Sequence, residues 1–162
     1  MPNIKSSLSD KRVAVIPLTE QALNQFRDKF AKLKTQKIEV MARLKTAREM
    51  GDLSENGAYK YAKFELSSIG RQLRELQHIL DHAVVKSKQS TGKFGFGCVV
   101  VLERDGVKTS YQMVSAYESD LTKHKLSTDS PLGLALKDKR VGDEVIVNAP
   151  AGQLEYNIVS ID

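Results

Sequence analysis

A single cysteine, Cys98, stands in 162 residues, and there is no tryptophan. One thiol closes no internal disulfide, so the chain suits a reducing compartment, and a cytoplasmic protein is expected. Four prolines and ten glycines are too few for a low-complexity or linker-rich protein. No apolar run approaches the roughly 18 residues that a membrane-spanning helix needs. The opening MPNIKSSLSDKRVAVIP lacks the sustained apolar core of a signal peptide. No membrane partner is expected, and no repeat of 20–50 residues, the mark of solenoids, is present.

What is there is charge, unevenly placed. Charged residues make up 28% of the chain, hydrophobic residues 41%, and the net charge is +5. Residues 1–87 hold 16 Lys/Arg against 10 Asp/Glu, and residues 88–162 hold 9 against 10, so the halves carry +6 and −1. A basic first half suits a polyanion or an acidic protein surface. It equally suits the solubility of long, solvated helices.

The two halves also differ in period. Leu23, Phe26, Phe30, Leu33, Val40, Leu44 and Ala47 follow one another in helical steps, one apolar stripe on a helix. Lys37 falls on that stripe, where it either weakens the seam or snorkels out of it. Thr19 or its neighbours can cap the start, and Glu20 suits a helix N-terminus. After GDLSENG the stripe resumes at Ala62, Leu66, Ile69, Leu73, Leu76, Leu80 and Ala83, in alternating steps of four and three. Two long helices joined by a short link run antiparallel, each burying the other's stripe. The link lies at the far end of a rod of roughly 45 Å, at 1.5 Å per residue.

Beyond the polar segment SKQSTGKFG the period shortens. Residues 98–102, 110–115, 145–147 and 156–161 read as strands, with turns at Arg104-Asp105-Gly106 and Ala149-Pro150-Ala151-Gly152. Ser130 at a cap and Pro131 at the first helical position open a short helix, LGLALK. The expectation is α+β: an N-terminal antiparallel coiled-coil hairpin, then a small antiparallel α+β domain.

The link REMGDLSENGAY holds the residues with most chemistry. Asp52 and Glu55 read in two ways. Their spacing is that of a capping box, with Ser54 as another possible cap. Two carboxylates on one turn are also half of a magnesium site, since Mg²⁺ takes one or two carboxylates with water and phosphate. Around them stand Arg43, Lys45, Arg48, Lys60 and Lys63, either a solvated helix surface or a phosphate-binding one. Tyr59 and Tyr61 either pack at the helix end or stack on a base.

Here the sequence resembles a known family. TAREMGDLSENGAYKYAKFE, residues 46–65, is similar to the tip of the bacterial Gre transcript-cleavage factors, whose pattern is roughly A-R-x-x-G-D-L-x-E-N-A-E-Y-x-x-A-K. FGFGCVVVLE, SYQMVSAYESD and STDSPLGLALKDKRVGDEVIVNAPAG resemble strands and the long C-terminal signature of the same family. The resemblance covers about residues 18–162. It implies residues 1–17 as an extension, a coiled-coil hairpin over 18–87 with its acidic tip at 51–56, a linker over 88–95 and an FKBP-like domain over 96–162.

The resemblance also implies the function. Such factors dock on bacterial RNA polymerase through the C-terminal domain and pass the hairpin down the secondary channel. Asp52 and Glu55 match the acidic pair that helps hold the polymerase's second Mg²⁺ during cleavage of backtracked RNA. The factor supplies carboxylates and is not itself an enzyme. Arg48, Asn56 and Tyr59 match neighbours of that pair, and with Arg43, Lys45, Lys60 and Lys63 they are the expected contacts to the tip region and the nascent RNA 3′ end. DNA is met only through the polymerase, and a monomer is expected. The docking surface is placed at Tyr117, Glu118, Asp120, Ser130, Pro131 and Leu134.

Two departures matter. Many relatives carry a third acidic residue where this chain has Ala58, and Gly57 replaces an alanine. Fewer carboxylates weaken metal capture, and glycine loosens a helix start. The missing acid at Ala58 and the extension over residues 1–17 favour an alternative, a non-cleaving channel occupant that regulates transcription. Other classes find less support. A prolyl isomerase needs an aromatic-lined pocket, which this aromatic-poor half lacks. A plain RNA binder would act without polymerase. His78 and His82 have zinc-binding spacing but no nearby cysteine, and are expected as surface residues. Cys98 is expected in the core, and Lys123, His124 and Lys125 in an exposed loop.

Overall fold

The computed structural model describes residues 14–51, 55–87 and 94–162. Helix α1 spans Glu20–Glu49. Thr19 caps it, its hydroxyl oxygen accepting from the Ala22 N–H at 3.2 Å, and Glu20 puts a negative charge in the first turn. Helix α2 spans Gly57–His82. The stripes meet as their period requires: Leu33, Val40, Ala62, Ile69 and Leu76 form one buried cluster, flanked by Phe30, Leu44, Leu66 and Leu73. Lys37 is exposed, so it leaves the seam rather than entering it.

The open end of the hairpin is closed by an element that the periodicity does not reveal. Strand β1, Ile16–Leu18, pairs in parallel with strand β2, Ala83–Val85. Ile16 and Leu18 are buried against Ile79, Leu23 and Phe26. The extension expected over residues 1–17 therefore gives way to structure at Ile16. Three-residue strands are too short to show an alternating pattern, and Pro17 argues against a strand until its edge position is known.

The second domain is a five-stranded sheet. It comprises β3 (Val99–Arg104), β4 (Val107–Val114), β5 (Lys125–Ser127), β6 (Glu144–Ala149) and β7 (Gly152–Ile161), in the order β5-β4-β3-β7-β6. All neighbours are antiparallel except β4 and β5. The β3–β4 turn holds Asp105 and Gly106 at φ 52° and 78°, the double left-handed turn that suits strand twist. Two single 3₁₀ turns, Ala116–Glu118 and Leu121–Lys123, lead into β5. The expected loop at Lys123, His124 and Lys125 is thus ordered: His124 takes φ 54° and Lys125 opens β5. Cys98 lies in the core with Val100, Leu102, Met113 and Ile158.

Helix α3, Pro131–Leu136, is capped by Ser130, whose hydroxyl oxygen accepts from the Gly133 N–H at 3.0 Å. A Cβ on Gly133 would stand 2.2 Å from the Ser127 carbonyl oxygen. Only glycine lets α3 approach β5 this closely.

One carboxylate joins the two parts. Glu118 accepts from the Thr19 N–H at 2.7 Å and from the Thr19 hydroxyl at 2.8 Å, 99 residues away in sequence. Thr19 therefore caps α1 and grips the second domain at once.

Two outcomes follow. Gly133→Ala is expected to destabilise the second domain by about 1–3 kcal/mol through overpacking, read as a lower denaturation midpoint. Glu118→Ala leaves two Thr19 donors without their partner, at about 2 kcal/mol for bonds to a charged group. Hydrogen exchange at Thr19 should accelerate while exchange in β3 and β7 stays slow.

Candidate functional site at the hairpin tip

The tip forms where α1 can no longer continue. Met50 closes the last turn, its N–H donating to the Ala47 carbonyl at 3.4 Å. Gly51 then takes φ 107°, a conformation closed to other residues at low cost. Asp52 lies with Leu53 and Ser54 outside the described residues. Glu55 is exposed and forms no ion pair among the described residues.

Helix α2 is capped by Asn56. Its side-chain oxygen accepts from the Tyr59 N–H at 3.1 Å, and its side-chain nitrogen donates to the Ala47 carbonyl at 2.8 Å. Glu55 precedes this cap instead of sitting three residues inside the helix, while Asp52 and Ser54 lie outside the described residues. Glu55 therefore closes no capping box on α2, whose cap is Asn56. The signal that points to Asn56 is its own residue type, a strong cap that the acidic spacing overshadows.

The basic residues divide. Lys45, Arg48, Lys60 and Lys63 are exposed. Arg43 is bound to Glu65 across the hairpin, one guanidinium nitrogen meeting the two carboxylate oxygens at 3.1 and 2.9 Å, so its charge is largely matched. Tyr59 is half-buried, whereas Tyr61 is 65% exposed. Tyr61, Met50, Thr46 and Ala58 line a shallow groove of about 380 Å³ beside the tip. Met50, 72% exposed, lies off the apolar stripe and has no sequence signal of its own. Ala58, where relatives are expected to carry an acid, contributes a methyl to the groove.

Metal-ligating groups are sparse. Among the described residues no cluster of three or more His, Cys, Asp or Glu occurs. His78 and His82 stack on adjacent turns with ring centroids 4.4 Å apart, and His82 Nδ1 lies 2.8 Å from the His78 carbonyl oxygen. No described helix is long and apolar enough to cross a membrane.

Two family signatures match the chain: "Transcription elongation factor, N-terminal" over residues 16–85 and "Transcription elongation factor, GreA/GreB, C-term" over residues 89–162. The GreA elongation factor of Nitrosococcus oceani is 38% identical over 153 residues, covering 90% of this chain and 96% of its own. That of Thermotoga maritima is 33% identical over 150 residues, covering 90% and 96%. The chain belongs to the GreA/GreB family of transcription elongation factors. Among solved structures, the GreA factor homolog 1 protein of Thermus thermophilus is 29% identical, covers 92% of this chain and 99% of its own, and superposes with a TM-score of 0.45.

In this Gre factor the expected docking residues fall into two groups. Tyr117 and Asp120 stand with Glu118 against the hairpin base, lining a cleft of about 390 Å³ shared with Phe26 and Lys29. Glu118 is buried and committed to Thr19, which withdraws it from any docking surface. Ser130 is half-buried and spent on its cap, while Pro131 and Leu134 on α3 are exposed.

Asp120 is held by its own turn. The Thr122 hydroxyl bonded to it, with the Lys123 ammonium 3.4 Å away, draws its carboxyl below the usual 3.8 against a smaller opposing effect of burial. A carboxyl lowered on folding stabilises the turn above its unfolded pKa, and the gain is lost as pH falls through the folded value. Thr122→Val should return the Asp120 pKa toward 3.8, visible in a carboxyl-detected NMR titration.

Proposed function

We propose that this Gre factor docks on bacterial RNA polymerase, passes its hairpin down the secondary channel and stimulates cleavage of backtracked RNA. The observation that supports this most is the placement of Glu55: exposed, outside the α2 cap and in no ion pair among the described residues. A carboxylate left over at the end of a stiff, narrow rod is useful where a metal and a phosphate lie at the bottom of a narrow channel.

Glu55, with Asp52, would hold a Mg²⁺ jointly with the polymerase. The donor set fits that ion, because carboxylates are the hard oxygen ligands it prefers and one or two are its usual protein complement. When bound, such an ion lowers the pKa of water and steadies charge on a phosphodiester. The protein's own part is to bring the carboxylates in and to hold the RNA 3′ segment by charge. Lys45, Arg48, Lys60 and Lys63 are exposed for contact with its phosphates, which attract cations regardless of sequence. The factor acts as a cytoplasmic monomer, has no activity alone and meets DNA only through the polymerase.

Ala58 favours a second account, a relative that occupies the channel without cleaving. The two separate in one assay. A backtracked bacterial elongation complex with labelled RNA and Mg²⁺ is treated with the wild type, Asp52→Ala and Glu55→Ala. Cleavage by the wild type that falls about a hundredfold or more in each variant, as loss of several kcal/mol of charge stabilisation requires, with binding unchanged, is the expected result. Binding by the wild type without cleavage selects the second account.

A further inference from the structure

We propose that Asn56 is a positioning residue, holding Glu55 in place by tying the last turn of α1 to the first turn of α2 through one side-chain amide. This rests on the role proposed above for Glu55. At the end of α1 the final carbonyls have no partner within the helix, and at the start of α2 the first N–H groups have none. The Asn56 amide reaches both sets: it accepts from Tyr59 at 3.1 Å and donates at 2.8 Å to the Ala47 carbonyl, which otherwise takes only the longer 3.4 Å bond from the Met50 N–H.

The donated bond is what a cap does not require. Capping uses only the side-chain oxygen, and serine or aspartate serves about as well. An aspartate accepts only, so it would set a carboxylate against the Ala47 carbonyl. A serine hydroxyl can cap, but it is too short to span both partners. Asparagine alone has donor and acceptor at the right reach.

The far anchor is rigid. Ala47 is 3% exposed, among the most buried residues of α1. Asn56 is thus fixed to the packed body of α1 as well as to α2. Its backbone is extended, at φ −75° and ψ 99°, so the chain turns away from the α2 axis at Glu55. The Glu55 Cα lies one trans peptide, about 3.8 Å, from this pinned residue. Without the link to Ala47, Gly57 beside the cap offers little resistance to movement of the tip, since glycine is the most permissive residue of the backbone.

Asn56→Ser tests this, because it keeps the α2 cap and removes the bond to Ala47. Four quantities are compared with the wild type: affinity for polymerase, denaturation midpoint, the Mg²⁺ concentration for half-maximal transcript cleavage, and ¹⁵N relaxation of the Glu55 amide in the free protein. The expected result is unchanged affinity, a midpoint lowered by no more than one lost hydrogen bond, a half-maximal Mg²⁺ concentration raised about tenfold or more, as for loss of a residue that orients a metal ligand, and a more mobile Glu55 amide. Excess Mg²⁺ should restore the cleavage rate. Unchanged Mg²⁺ dependence with unchanged relaxation overturns the proposal. So does a lowered midpoint with normal Mg²⁺ dependence, which makes Asn56 structural only. If the wild type itself does not cleave, the metal role of Glu55 falls. The tie is then decided by relaxation alone: greater Glu55 mobility in the variant supports it, and no change overturns it.

Discussion

The seam between α1 and α2 gives the hairpin its stiffness. Leu33, Val40, Ala62, Ile69 and Leu76 are buried there, and burying an aliphatic side chain contributes about 1.5–3 kcal/mol. Isolated helices in water are marginal, so each helix depends on the other's stripe. Without the seam there is no tip, because Ala47 and Asn56 meet only when the two helices lie side by side. The Arg43–Glu65 pair bridges the same two helices at 2.9 Å, but both side chains are partly exposed, and such a pair adds little beside the apolar contacts.

At the tip, polar groups take over from apolar ones. The helices stop within a few residues of each other, and their unsatisfied backbone groups are answered locally by Met50 and Asn56. That leaves Glu55 exposed and in no ion pair among the described residues. At the base the opposite holds: Glu118 carries a full structural load, and its carboxylate is used up on Thr19. Two exposed-looking acids in the sequence thus have opposite fates, and only their surroundings separate them.

The long-range order of the molecule was legible wherever a period repeats. The seven-residue apolar seam, the Asp105-Gly106 turn, the Thr19 cap and the Ser130-Pro131 helix start all announce themselves within a few residues, because they rest on local chemistry. Strands β1, β2 and β5 were not legible. Three residues carry no period, and β1 and β2 meet only across the whole length of the hairpin. Asn56 was hidden by a neighbouring acidic pair with plausible capping spacing. Glu118 was misplaced on the surface because nothing near it in sequence announces Thr19. Sequence supplies the resemblance at the tip, but the identity of the cap and the freedom of Glu55 belong to three dimensions.

The joint at Thr19 has a mechanical consequence. Thr19 sits at the root of α1, whose 30 residues reach about 45 Å at 1.5 Å per residue. The hairpin is a lever arm with its fulcrum at two hydrogen bonds. A swing of about five degrees at the root sweeps the far end of such a 45 Å arm through about 4 Å, further than the span of a hydrogen bond. The aim of the carboxylate at the tip is therefore set as much by Glu118, at the other end of the molecule, as by any residue beside it.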